Sequence, residues 1–233
     1  MKFQKLEPVT AAEIAGMEKL QPGDYEVYSE RLTVILAECK EVFIKIGISY
    51  LLHAGDLIVG LHTAQGDLVN ACLGTFIHST TAQNPIKWIM KNWKDNPSVG
   101  VHEGDIFYCN DSTYGGIHNA DQMALMPIFF QGELIAWASA GAHLNEIGGI
   151  EPGGLLAGAR SKYDEGMSLT PFKLAENYVL RDDLLELMAN FMSRAPRQQS
   201  VDLRARVTAV DRLRVRLQEL AERGRSGADA VLR

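Results

Sequence analysis

At 233 residues the chain has the length of one large domain or two small ones. Its 46% hydrophobic and 22% charged residues supply a core and an ordinary solvated surface, and a net charge of −6 argues mildly against a general nucleic-acid binder. No apolar run reaches the roughly 18 residues of a membrane span, and "MKFQKLEPVTAAE" lacks the apolar stretch of a secretory signal. Three scattered cysteines, Cys39, Cys72 and Cys109, make neither a disulfide framework nor a zinc ribbon, so a reduced cytoplasmic protein is expected.

In chain order, "TAAE" at 10–13 has the spacing of a capping box and predicts a short first helix, which "QPGD" at 21–24 ends. Over 24–46, Tyr28, Leu32, Ile35, Cys39, Val42, Phe43 and Ile46 recur at helical spacing, the mark of a long amphipathic helix. The period then falls to two. Leu57, Val59 and Leu61 alternate, "TAQG" turns the chain and a second apolar run follows, which reads as a β-hairpin. "NPIKWIMKNW" predicts a helix with Asn84 as N-cap, Pro85 in its first position, and Ile86, Ile89, Met90 and Trp93 on one face. "GDIFYCND" reads as a short strand that ends in a turn at Asn110 and Asp111.

A second hairpin follows, and beyond it the glycine-rich stretch 148–166 has little periodicity. A loop of that length is expected to be functional. The last third is helical. Leu184, Leu185, Met188 and Phe191 mark a helix over 182–192, and Leu203, Val207, Val210, Leu213, Leu217 and Leu220 mark one over 201–223. The arginines of this last helix read as an outer, solvated or partner-facing surface. Residues 224–233 carry no pattern and are expected to fray. The expected fold is α+β: β-hairpins and a mixed sheet flanked by N- and C-terminal helices. An arm at 1–23, a core at 24–223 and a tail at 224–233 form a single domain portion.

The second hairpin lies in "GGIHNADQMALMPIFFQGELIAWASAGAH", residues 115–143. Residues 123–130 and 133–140 read as its strands, joined by Gln131-Gly132. A two-residue loop sets Phe130 opposite Glu133, hence Asp121 opposite Ala142 and Ala120 opposite His143. Both polar ends then return to one end of the sheet, about 5 Å apart, with His118 a short step beyond. Two imidazoles and a carboxylate suit zinc, manganese or iron and leave coordination positions open. The register decides the matter. Strict alternation puts Asp121 and His143 on opposite faces, and a one-residue slip or a bulge brings them to one. The alternative is that Asp121 caps a turn and the two histidines are unrelated surface residues. His78, in "TFIHSTT", either faces a site or fills the core, and His53, His62 and His102 have no partner visible in sequence. Cys109 reads as a buried strand cysteine, not a nucleophile. There is no P-loop, nucleophile elbow or dinucleotide fingerprint, so ATP is not expected on this chain.

The stretch "GDIFYCNDSTYGGIHNADQMALMPIFFQGELIAW" resembles the hydantoinase B / 5-oxoprolinase family. The core of that family reads G-D-x-x-x-x-N-D…G-G-x-H-x-x-D, followed by a strand, a G-E-L-I turn and a further histidine. The likeness continues through "HLNEIGGIEPGG", "YDEGMSLTPFKL" and "DLRARVTAVDRLRVRLQEL", and upstream through "GDLIVGLHTAQGDLVNACLGTFIHSTT". It covers residues 24–223 and is most similar to the B-type subunits of ATP-dependent ketone carboxylases, the acetophenone type before the acetone type. The resemblance implies a divalent metal, Mn or Zn with Fe a further option, held by His118, Asp121 and His143. It implies His78 as an acid/base or as support behind the ligands, and the glycine-rich loop as the wall of a water-excluding cavity. It also implies a hetero-oligomer. An A-type, hydantoinase A-like ATPase subunit binds ATP and activates bicarbonate and a small ketone. Two other readings stay open: a subunit of a ring-opening hydantoinase or 5-oxoprolinase, and a truncated, non-catalytic assembly chain. Family B-type chains are several hundred residues long, so the likeness implies the N-terminal portion of such a subunit, active together with the remainder.

Overall fold

The computed structural model describes residues 6–191 and 194–223. Helix α1 (Ala11–Met17) starts on the capping box read from the sequence: the Thr10 hydroxyl accepts from the Glu13 N–H, and the Glu13 carboxylate accepts from the Thr10 N–H. Helix α2 (Asp24–Ile46) buries Tyr28, Leu32, Ile35, Leu36, Cys39 and Phe43 on one stripe, while Ile46 has rotated out to solvent. A single turn, α3 (Tyr50–His53), leads into the sheet.

The sheet holds β1 (Leu57–Thr63), β2 (Leu68–Ala71), β3 (Ile106–Cys109), β4 (Asp121–Phe130), β5 (Glu133–His143), β6 (Phe172–Glu176) and β7 (Val179–Leu180). Their order is β2-β1-β5-β4-β3-β6-β7. The α+β reading holds. Every pairing among these strands is antiparallel, so the sheet is not mixed. Helices α2 and α6 (Pro196–Arg223) cover one face, and α4 (Ile77–Asn92) covers the other. On β4, Ala124, Met126 and Ile128 join the core under α2 and α6, whereas Met123 and Leu125 pack with Trp137, Ile86 and Ile89 under α4. With both faces covered, β4 and β5 are buried along most of their length.

Four elements depart from the sequence expectation. Helix α4 starts at Ile77, and Pro85 lies in its interior instead of opening it. The polar run "HSTTAQN" has poor helix propensity and no apolar period. It is helical because His78, Ser79 and Ala82 pack against the sheet, a tertiary contact that overrides local preference. Helix α6 begins at Pro196, ahead of its apolar stripe, and follows α5 (Asp182–Phe191). Strands β6 and β7 have no clear sequence signal, because they turn through Asn177 and Tyr178 at φ of 48° and 65° without a glycine. The tail 224–233 lies outside the described residues. Among the described residues, no helix is long and apolar enough to cross a membrane.

Leu213 is fully buried in the core that joins α2, α6 and the sheet. Leu213→Ala is expected to destabilise the protein by about 2–5 kcal/mol, read from the urea unfolding midpoint.

Candidate metal centre

The His-x-x-Asp spacing is a β-turn. The Asp121 N–H donates to the His118 carbonyl at 3.0 Å, which folds the His118 ring back until Nε2 lies 3.3 Å from Asp121 Oδ2. His143 arrives by the hairpin. Phe130 pairs with Glu133 and Phe129 with Leu134, as a two-residue loop requires, but Ile128 then pairs with Ala136. Ile135 is the extra residue of a bulge. Beyond it the register is shifted by one, and Asp121 faces His143 instead of Ala142. The Leu144 N–H donates to Ala120 O at 2.9 Å, which makes Asp121 and His143 a non-hydrogen-bonded pair, the kind whose side chains approach closest. His143 Nδ1 lies 3.1 Å from Asp121 Oδ1. One donor atom from each of the three residues falls within 4.8 Å of the other two.

This cluster sits at the end of the sheet on the α4 face. Asp121 and His143 are buried, and the His118 side chain keeps 23% of its exposure, which gives the cluster one open side. Gly154, in the glycine-rich loop, covers the outer edge of His143. A Cβ there would stand 2.1 Å from His143 Nε2, so only glycine lets the loop close on the ring. Further along that loop, Glu165 accepts from the Asn119 N–H at 2.8 Å and approaches His118 Nδ1 at 3.9 Å. His78 enters from the first turn of α4. Its Nε2 is 3.0 Å from Asp56 Oδ1 and its Nδ1 is 3.9 Å from Asp121 Oδ1. Burial raises the Asp56 carboxyl, but hydrogen bonds from His78 and Thr75 outweigh it and hold the group below its ordinary value.

Asp56 was not legible as a site residue. Its one local signal is its place just before β1, whose end lies beside His143; the His143 N–H donates to Asp56 O at 3.2 Å. Asn110 and Asp111 do more than turn the chain. The Asn110 side chain donates to the Asn119 and Met167 carbonyls and accepts from the Leu169 N–H, which ties the strand end to both loops. Asp111 binds Lys162 of the glycine-rich loop at 2.8 Å. The remaining candidates stand apart from the cluster. His62 is buried against Ser139 Oγ at 2.9 Å, and burial drives its imidazole down to about 3. His53 meets the Gly47 carbonyl and His102 lies beside Asp105. Burial pushes the Cys109 thiol up to about 12, consistent with an inert strand residue.

Residues 21–233 match the hydantoinase B/oxoprolinase pattern. The chain belongs to this family. One relative is the acetophenone carboxylase delta subunit of Aromatoleum aromaticum, 39% identical over 231 residues, which are 99% of this chain and 33% of the relative. The acetone carboxylase alpha subunit of Xanthobacter autotrophicus is 33% identical over 90% of this chain and 28% of its own. The nucleotide-free structure of an acetone carboxylase superposes with a TM-score of 0.83 at 31% identity, over 93% of this chain and 29% of that one. The ATP-dependent caprolactamase from Pseudomonas jessenii follows with a TM-score of 0.77 at 26% identity, over 91% and 36%. The chain thus spans about a third of the length of these family members.

Burial raises the Asp111 carboxyl, yet bonds from Lys162, Thr113 and Ser168 bring it down to about 2 from 3.8. A depressed carboxyl stabilises the folded state fully above the unfolded value and loses that stabilisation as pH falls through the folded one. Asp111→Asn is therefore expected to cost roughly 1–2 kcal/mol at neutral pH. It should also flatten the acid limb of stability between 3.8 and about 2, measured by urea titration across pH.

Proposed function

We propose that this chain is the metal-binding part of the B-type subunit of an ATP-dependent ketone carboxylase. The observation that carries this reading is the convergence of His118, Asp121 and His143 in a chain 39% identical to an acetophenone carboxylase subunit. Two imidazoles aim ring nitrogens at opposite oxygens of one carboxylate, a donor set that fits Mn or Zn, with Fe a further option. A bound divalent ion supplies Lewis acidity toward a carboxyl or enol oxygen.

The chain's own residues do the rest. Asp121 would bring one negative charge to an ion held between the two imidazoles, and the open side at His118 admits substrate. His78 is the acid/base group: Asp56 holds its Nε2, and its buried Nδ1 has no hydrogen-bond partner among the described residues and faces Asp121. The loop around Gly154 excludes water from a labile activated substrate. ATP is used on a partner, an A-type ATPase that phosphorylates bicarbonate and ketone, and the chain works in a cytoplasmic hetero-oligomer with the remainder of the B-type fold. The relatives named above as delta and alpha subunits support an assembly of this kind. A second reading, ATP-dependent opening of a cyclic amide, is favoured by the likeness to caprolactamase.

Co-expression with an A-type ATPase and the remainder of the B-type fold, followed by labelled-bicarbonate incorporation, separates these readings. ATP-dependent labelling of an aryl or alkyl ketone is expected, with stoichiometric divalent metal. His118→Ala should lower both metal content and labelling by at least about tenfold. Ring opening of a lactam or hydantoin without labelling selects the hydrolase. Absence of metal, with His118→Ala silent, leaves an assembly chain.

A further inference from the structure

Although the arginines of the last helix read as an outer surface, Arg206 is fully buried. It lies on α6, across the sheet from the candidate centre. Its Nε donates to Gln122 O at 3.1 Å and its Nη2 donates to Ala142 O at 3.0 Å. These two residues face each other in register, and the next pair toward the sheet end is Asp121 and His143. The fixed fork of a guanidinium suits two acceptors at a set separation.

Fold stability alone does not account for this cation. Among the described residues no carboxylate forms an ion pair with it, and its other polar neighbour is the buried Tyr108 hydroxyl. The nearest acid in sequence on α6, Asp202, instead accepts from the Ile48 and Ser49 N–H groups through Oδ1. The Phe43 ring, 5.8 Å away, is a further neighbour. A buried charge without a carboxylate partner costs the fold its desolvation, so an apolar side chain of similar length in its place is expected to be tolerated. Meanwhile the two ligands stand at strand ends, Asp121 the first residue of β4 and His143 the last of β5. Gln122 is held a second time, its Oε1 accepting from Tyr108 OH at 2.7 Å and from Gln199 Nε2 at 3.0 Å.

We infer that Arg206 is a positioning residue for the candidate metal centre: by pinning the Gln122 and Ala142 carbonyls it keeps Asp121 and His143 in facing register. The inference rests on the metal reading given above. Arg206→Met, Arg206→Lys and the control Asp202→Asn test it in this chain. Three quantities are read: Mn(II) affinity by EPR titration, amide exchange at residues 142–144 in metal-free protein, and the urea midpoint. Arg206→Met should keep or raise the midpoint, yet weaken Mn(II) binding about tenfold and speed exchange at 142–144. Arg206→Lys, which retains one donor to the carbonyls, should recover part of both. Asp202→Asn should lower the midpoint and leave affinity unchanged. Wild-type affinity and exchange in Arg206→Met overturn the inference, and so does collapse of the fold in both Arg206 variants. If the unsubstituted chain binds no Mn(II), the metal reading falls, and exchange alone decides whether Arg206 pins the hairpin end.

Discussion

The pairing of Asp121 with His143 across the β4–β5 hairpin is the constraint on which the site depends. Side chains at directly opposed positions leave an antiparallel pair on the same face, and a shift of one residue sends them to opposite faces. The single extra residue at Ile135 therefore determines whether a carboxylate and an imidazole meet. Helices bury both faces of the sheet, so a slipped register would drive Gln122 into the layer under α4 and Met123 into the layer under α6. Burial on two sides makes the register much harder to change than turn chemistry alone would.

Everything else at that end of the sheet converges on the pair. The turn that begins at His118 closes with a hydrogen bond to Asp121 itself. Helix α4 brings His78 in beneath, with Asp56 behind it. The glycine-rich loop comes down on His143 at Gly154 and is tethered through Asp111, Asn110 and Asn119. These anchors are two side-chain-to-backbone bonds, from Asn110 and Asn119, and the Asp111–Lys162 ion pair, which hold irregular chain in place where no ladder can. The loop is long because it has a surface to cover, and its ordered contacts explain how it does so without secondary structure.

Membership of the hydantoinase B/oxoprolinase family joins this geometry to relatives named for quite different substrates, two ketone carboxylases and a caprolactamase. Fold likeness does not separate carboxylation from ring opening, because both chemistries need a polarised carbonyl-type oxygen and a shielded cavity. What this chain holds is a cluster of two imidazoles and one carboxylate at a sheet end, with Arg206 on the opposite face.

Periodicity and turn chemistry are local, and they were legible. The capping box at Thr10, the stripe of α2, the first hairpin, the Gln131-Gly132 turn and the stripe of α6 all follow from residues close in sequence. So did the return of His143 to the neighbourhood of His118 and Asp121, since hairpin arithmetic needs only the turn and the strand lengths. What local pattern could not carry was decided by packing. The polar first half of α4 is helical because the sheet holds it there. Arg206, one arginine among many on its helix, is buried because two carbonyls of the sheet under α6 accept from it. The bulge at Ile135 leaves no mark in composition, because a bulge is a property of two strands and not of one. The sequence by itself determined which polar side chains come together at one end of the hairpin. Only the tertiary structure decided that they share a face, because that depends on a one-residue register set by side chains packed from both sides.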